Sequence, residues 1–283
     1  MLAVSLGLLV AATYGAGDFF GGLASRRRSA AVVVLWSQVV GLVGLALLVP
    51  LLGGSPTAGD VGVGALAGIV GLSGVLLLYR GLGAGRMSVV APVTAVGAAF
   101  VPFVVGVAGG DGLPATRLAG AASALLGVAL VSRPAADEAP AGTGSRAGPG
   151  LELALGVGAG IAFGVVFVLL AAVGDDAGLW PVLVQRCASV PVILTATALL
   201  RRPRWVGPAD LRLIVPAGIC DAGANALFVL AARAGALSVV GVVSSLYPAA
   251  TVLLAALVVH ERIGRAQGLG LALAGLGVIL LAL

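Results

Sequence analysis

The chain contains one stretch of sequence twice, and this repeat restricts the fold more than any other feature. The segment Gly-Arg-Met-Ser-Val-Val at 85–90 returns as Gly-Ala-Leu-Ser-Val-Val at 235–240, and the similarity continues without a gap at an offset of 150 residues. The matching pairs along this stretch include Thr94 with Ser244, Asp111 with Glu261, and Gly120 with Gly270. Because a turn, a hydroxyl and an acid keep their spacing, the repeat predicts two homologous halves.

The composition predicts that both halves lie in a membrane. Hydrophobic residues make up 60% of the 283 residues, charged residues make up 10%, and the mean hydropathy is +1.17. A soluble chain of this length could not cover its surface with so few charges. Apolar runs of about 18 to 22 residues recur along the chain, which is the length that a bilayer-spanning helix needs.

The apolar runs predict ten helices, five in each half. In the first half they lie near 3–23, 31–52, 61–79, 88–108 and 116–132, and in the second half near 151–173, 179–200, 211–232, 238–259 and 266–283. The Pro- and Gly-rich segment 134–150 is interpreted as a flexible linker between a first unit, 1–133, and a second unit, 151–283. An odd number of helices in each half forces the second half to enter the membrane upside down. The predicted fold is therefore an all-α membrane protein with ten transmembrane helices in two inverted five-helix repeats.

The net charge of +5 comes with 16 basic residues that are all Arg, and most of them lie between the apolar runs. In a membrane protein this pattern indicates orientation and lipid headgroup contact, so no nucleic-acid partner is expected. The odd-numbered loops hold most of the Arg residues, and the even-numbered loops hold only Arg117 and Arg233. The positive-inside rule then places the odd loops in the cytoplasm and both termini outside.

A doubled set of short motifs resembles the EamA type of the drug/metabolite transporter superfamily. An aromatic-Gly pair lies in the first helix of each half, as Tyr14-Gly15 and Phe163-Gly164. A small-residue turn precedes each fourth helix, an acid closes it, and a Gly-rich fifth helix follows. The resemblance implies ten helices in two repeats and the export of small molecules. It also favours cytoplasmic termini, which disagrees with the distribution of Arg, so the orientation stays open.

Charged and polar residues within the apolar helices are the candidates for a substrate or ion pathway, because burying them costs energy that packing does not require. They are Tyr14, Asp18, Gln38, Thr94, Gln185, Arg186, Asp221, Asn225, Ser244 and Tyr247. Asp18 either faces a cavity or reaches the basic edge at 26–28. Arg186 and Asp221 either form a structural ion pair or bind a carboxylate and an amine or proton respectively.

The residues around Pro248 and the acids at two helix ends suggest further roles. Proline frees a backbone carbonyl, so a kink at Pro248 could line a site at the middle of the membrane, although each Ser or Thr could instead bond back to its own helix. The fourth helix is likewise expected to be interrupted at Pro92 and Pro102. Asp111 and Glu261 are interpreted as structural helix-end acids, since a helix N-terminus favours a negative charge.

No catalytic pattern is visible in the sequence, and neither a cofactor nor a metal ion is expected. The chain has one His and no Lys, so it can form neither a zinc-binding His pair nor a phosphate-binding loop. The leading hypothesis is a secondary transporter of a small metabolite in a bacterial cytoplasmic membrane, with the lipid bilayer and a small-molecule substrate as partners and protons as a candidate coupling ion. The alternatives are a lipid-linked headgroup carrier, a membrane-embedded lipid-processing enzyme, and a non-transporting scaffold or sensor. Oligomeric state is not predicted.

Overall fold

A computed structural model of the chain describes residues 1–25, 27–84, 87–112, 114–131, 149–200, 205–258 and 263–283. The predicted linker lies outside these residues except for its last two positions, 149 and 150, which begin a helix. Glu261 also lies outside the described residues.

The described part of the chain is all-helical, as predicted. The first half forms α1 (Leu2–Ser25), α2 (Ala30–Leu52), α3 (Ala58–Ala84), α4 (Met87–Ala108) and α5 (Ala115–Val131). The second half forms α6 (Pro149–Ala171), α7 (Trp180–Leu199), α8 (Pro208–Ala234), α9 (Leu237–Ser244), α10 (Tyr247–Val258) and α11 (Arg265–Ala282). A short 3₁₀ turn, Asp175–Ala177, lies between α6 and α7. Helices suit apolar surroundings because they satisfy their own backbone hydrogen bonds.

Eight stretches are long and apolar enough to cross a bilayer, and α9 and α10 together form one of them, Leu237–Val258. The apolar parts of α4 and α5, Val93–Ala108 and Ala115–Val131, are shorter. The chain is therefore a multi-pass integral membrane protein. The count of ten spans stays a prediction.

The fourth apolar stretch of each half contains proline, but only the second one breaks. The sequence predicts one helix at 238–259, whereas α9 ends at Ser244 and α10 begins at Tyr247. Pro248 has no N–H for the Ser244 carbonyl, and its ring crowds that carbonyl, so the break falls where the hydrogen bond is lost. By contrast, α4 runs without a break through Pro92 and Pro102, so the interruption predicted there is wrong.

The helices of one half pack mainly on helices of the other half, and the pairings are reciprocal. The third helix of each half packs on the first helix of the other, as α1 on α8 and α3 on α6. The fourth helix of each half also packs on the first helix of the other, as α4 on α6 and α10 with α9 on α1. The fifth helices, α5 and α11, pack on each other. Few contacts join helices within a half, so neither half has a core of its own.

Glycines in the aromatic-Gly pairs permit these contacts. A Cβ built on Gly15 would lie 2.7 Å from the Tyr247 carbonyl oxygen in α10, and one built on Gly164 would lie 3.1 Å from the Gly97 carbonyl oxygen in α4. Gly97 and Tyr247 are themselves 150 residues apart. Any side chain larger than hydrogen would separate these helices, which explains why glycine occupies both positions.

The contact between α5 and α11 joins equivalent helices of the two halves. A Cβ on Gly127 would lie 2.7 Å from the Gly270 carbonyl oxygen, and one on Gly277 would lie 2.8 Å from the Gly120 carbonyl oxygen. The Ser123 hydroxyl donates to the Leu273 carbonyl at 2.8 Å, between these two contacts. The order of the contacts shows that α5 and α11 are antiparallel.

Candidate functional site

A polar cavity of about 120 Å³ lies between the two halves. Helices α1, α2, α3 and α4 of the first half and α6, α7, α8 and α10 of the second half contribute to its wall. Eight of the ten residues predicted to form a pathway line it, namely Tyr14, Asp18, Gln38, Gln185, Arg186, Asp221, Asn225 and Tyr247. The cavity is large enough for several waters or one small molecule.

An ion pair between α7 and α8 crosses one wall of the cavity. Arg186 NH2 lies 2.8 Å from Asp221 Oδ2, and the side chains of Arg186 and Asp221 are 4% and 33% exposed. Arg186 NH1 donates to Gln38 Oε1 in α2 at 2.6 Å. Asp221 lies near the middle of α8, which is about 40 Å long. A charge at this depth is costly unless it is paired, and in this ion pair each side chain compensates the charge of the other.

Neutral side chains extend this network to both halves. Ser189 Oγ donates to Gln38 Oε1 at 2.9 Å, and Gln38 Nε2 lies 3.4 Å from Asp221 Oδ2. Gln185 Nε2 lies 3.4 Å from Asn225 Oδ1, and Asn225 Nδ2 donates to the Asp221 carbonyl at 2.8 Å. The network ties α2 of the first half to α7 and α8 of the second half.

Asp18 of α1 lines the same cavity but differs from Asp221. Its side chain is exposed, and it makes no ion pair with any residue that the structure describes. Of the basic edge at 26–28 the structure describes Arg27 and Arg28; neither makes an ion pair with Asp18, and Arg28 pairs with Asp210 instead.

Aromatic rings form the part of the cavity between α1, α6 and α10. The Tyr14 ring lies 6.0 Å from the Phe167 ring and 6.3 Å from the Tyr247 ring, centroid to centroid. Phe167 stacks in turn on Phe228 at 4.3 Å. Such edge and stacked contacts hold the rings in place at the cavity wall.

Two predicted pathway residues lie elsewhere. Thr94 is fully buried between α4 and α6, where its hydroxyl donates to the carbonyls of Val90 and Gly156. Ser244 is fully buried at the end of α9, and its hydroxyl has no hydrogen-bond partner within the described residues. Neither lines the cavity.

The predicted helix-end acid Asp111 follows α4 and binds the opposite half. Its Oδ2 accepts a hydrogen bond from the Ser238 N–H at 2.9 Å, in the first turn of α9. An acid at a helix N-terminus satisfies an otherwise free N–H and complements the helix dipole.

Two further acids, in the first turns of α3 and α8, are not among the residues predicted from the sequence. Asp60 Oδ1 accepts a hydrogen bond from the Gly174 N–H at 2.9 Å, and Asp60 Oδ2 accepts from the Thr57 N–H and hydroxyl. Asp210 Oδ2 lies 2.9 Å from Arg28 Nε and accepts from the Gly207 N–H. Asp60 and Asp210 are 150 residues apart, so the repeat offset would have revealed them.

Each of these acids fastens the loop between the first and second helices of the other half. We call Asp60 with Gly174 the first latch and Asp210 with Arg28 the second latch. Arg233, at the C-terminal end of α8, adds to the first latch by donating to the carbonyls of Gly174 and Gly178. The second latch lies at the N-terminal end of α8, so the two latches lie at opposite faces of the molecule.

The fold and the cavity define a class, a multi-pass membrane protein with a buried polar site between two halves. Residues 150–283 match the family model described as the EamA-like transporter family. The match covers the second half of the chain, and the predicted resemblance is confirmed over these residues. The family is one of membrane transporters in the drug/metabolite transporter superfamily.

A solved structure described only as "Crystal structure of protein" has the same fold. It superposes with a TM-score of 0.76 over 98% of this chain and 95% of that chain, at 17% sequence identity. At that identity the likeness concerns the fold alone. No curated protein matches the chain.

Proposed function

We propose that the chain is a secondary active transporter that exports a small metabolite, such as an amino acid or a related compound, across a bacterial cytoplasmic membrane. The observation that carries the proposal is the cavity, which has walls from both halves and is lined by Asp221 near the middle of α8. A site between two halves becomes accessible to alternate sides when the halves rock against each other. The match of residues 150–283 to the model of a transporter family supports the same conclusion.

Alternating access needs two structurally equivalent halves, which we propose to be five-helix repeats at 1–133 and 151–283 joined by the linker 134–150. The reciprocal glycine contacts and the antiparallel α5–α11 pair support an inverted relation between them. The two latches fasten opposite faces at equivalent positions, as expected if each face opens in turn.

The orientation that we propose places the α1–α2 loop in the cytoplasm and the termini outside. Arg27, Arg28, Arg80, Arg212 and Arg265 lie at or near the face that holds this loop, whereas Arg117 and Arg233 lie near the opposite face. Most of the basic charge therefore lies on one side, which favours that side as cytoplasmic.

Flux into proteoliposomes tests the transport function. A pooled panel of amino acids, nucleobases, amines and small organic acids would be followed by mass spectrometry, with and without an imposed pH gradient. We expect accumulation that requires the gradient, with Asp18 as the proton-carrying group because it makes no ion pair among the described residues. The other charged or titratable groups of the cavity are Tyr14, Arg186, Asp221 and Tyr247.

The outcomes separate the hypotheses. Equilibration that ignores the gradient would indicate a facilitator and contradict coupling through Asp18. If folded protein moves none of the compounds, secondary transport of small metabolites is wrong, and a lipid-linked headgroup becomes the substrate to test.

A further inference from the structure

We propose that the cavity selects small organic cations, such as protonated amines, and that Asp18 is the residue that determines this selectivity. The inference rests on the proposed function, since it names the substrate class of the same cavity. It follows from which charges of the cavity a ligand can reach.

The only positive charge that the described cavity wall holds is not available to a ligand. Arg186 NH1 is engaged by Gln38, and NH2 lies against Asp221. The remaining nitrogen, Nε, has no hydrogen-bond partner among the described residues, but it is buried, as NH2 is, so neither nitrogen is exposed to a ligand in the cavity. A substrate carboxylate could reach this guanidinium only by breaking the pair with Asp221, which would leave that acid uncompensated at mid-depth.

The negative charges, in contrast, face the cavity. Asp18 is exposed, and Asp221 is one-third exposed although paired. Among the described lining residues, Asp18 and Asp221 carry two negative charges and Arg186 carries one positive charge, so the ionised cavity has a net charge of −1. A cation makes the site neutral, whereas an anion would raise its net charge to −2 in surroundings that screen charge poorly.

The rest of the wall suits an organic cation rather than a metal ion. Tyr14, Phe163, Phe167 and Tyr247 provide aromatic surface in the same cavity. A π face attracts a cation, most strongly one that carries little bound water. In addition, the described residues contain no group of three His, Cys, Asp or Glu side chains that could coordinate a metal ion.

Binding of three compounds that share one ring tests the proposal without depending on transport. Benzylammonium, benzyl alcohol and benzoate carry charges of +1, 0 and −1 on similar bodies. Isothermal titration of the detergent-solubilised full chain at pH 7 should give the tightest binding for benzylammonium, by about tenfold or more over either other compound. Equal affinities, or a preference for benzoate, would overturn the proposal, and so would the absence of binding by folded protein.

Variants then assign the selectivity to Asp18. Asp18→Asn should weaken benzylammonium binding by about tenfold and leave benzyl alcohol binding unchanged. Asp176→Asn is the matched control, because Asp176 is exposed in the α6–α7 loop, outside the cavity. If both variants bind benzylammonium like the parent chain, Asp18 is not the determinant. If Asp18→Asn does not fold, Asp18→Glu serves instead and should keep the order of the three affinities.

Flux measurements keep this proposal separate from the proposed function. Charge-selective binding without transport would support the cation site and contradict a transporter. Transport of neutral or anionic compounds without any preference for amines would support a transporter and contradict the cation site.

Discussion

The two halves of the chain agree closely where helices meet and differ where they line the cavity. Gly15 and Gly164 make equivalent contacts with the fourth helix of the other half, and Asp60 and Asp210 fasten equivalent loops. In the cavity, by contrast, the position of Asp221 in α8 corresponds to Gly71 in α3. Each of these contacts occurs twice in the molecule, so the same steric constraint acts on both copies. The cavity occurs once and is lined by both halves, so no such constraint makes its two sides alike.

The difference in the cavity concerns charge. Gln185-Arg186 of α7 stands where α2 has Ser37-Gln38, and Asn225 stands where α3 has Val75. The second half therefore supplies both members of the ion pair, and the first half supplies Gln38 as a neutral partner and Asp18, an acid without an ion pair among the described residues. This asymmetry means that equivalent substitutions in the two halves should differ in effect within the cavity and agree at the helix contacts.

The largest difference is expected between Arg186→Met and Gln38→Met. Arg186→Met leaves Asp221 unpaired at mid-depth and should lower the free energy of unfolding by about 3 kcal/mol. Gln38→Met removes neutral hydrogen bonds and should cost about 1 kcal/mol. Reversible unfolding in mixed detergent micelles, followed by circular dichroism, measures both.

A double variant identifies the cause of that loss. In Arg186→Met with Asp221→Asn, neither member of the former ion pair carries a charge, so part of the lost stability should return. The double variant being no more stable than Arg186→Met, or Gln38→Met costing as much as Arg186→Met, would show that the difference in charge between the halves does not affect the free energy of unfolding.

At the helix contacts, equivalent substitutions should cost the same. A Cβ on Gly127 would lie 2.6 Å from the Ala274 nitrogen, and one on Gly277 would lie 2.6 Å from the Ala124 nitrogen. Gly127→Ala and Gly277→Ala should therefore each lower the free energy of unfolding by about 2 kcal/mol, because backbone must move apart. Gly275→Ala is the control, since nothing lies within 4 Å of its Cβ position. Unequal losses, or a comparable loss in the control, would show that the α5–α11 contact is not symmetric in energy.

Much of the architecture could be predicted because it follows from the repeat and from hydropathy. The apolar runs located each helix to within a few residues at most ends. Proline was a poorer guide. Pro248 breaks a helix whereas Pro102 does not. Each proline removes one backbone hydrogen bond, and the sequence around it does not show whether packing against neighbouring helices compensates for that loss.

The cavity could be located in part because charged and amide side chains have few places to go inside a bilayer. This energetic cost singled out Asp18, Arg186 and Asp221 in the sequence, and all three line the cavity. It is weaker for a hydroxyl, since Thr94 can satisfy itself on its own helix, and that is what it does. It does not identify Asp60 or Asp210. Acids near a helix end are common, and the sequence alone does not show that placing them there costs energy.

The smallest contrast is expected between the two latches, and it concerns salt. The first latch joins Asp60 to neutral N–H and hydroxyl donors, whereas the second joins Asp210 to Arg28, whose side chain is 47% exposed. Asp60→Ala should lower the thermal unfolding midpoint by several degrees at any salt concentration, because it removes hydrogen bonds to two loops. Asp210→Ala should lower it by less, and the difference from the parent chain should shrink in 1 M NaCl (about a 3 Å screening length), because an exposed ion pair is screened. Thermal scans of both variants at low and high salt measure the contrast. The contrary result is that salt reduces the effect of Asp60→Ala as much as that of Asp210→Ala. In that case both latches depend on charge to the same degree, and the difference in their hydrogen-bond donors does not affect the stability of the two faces.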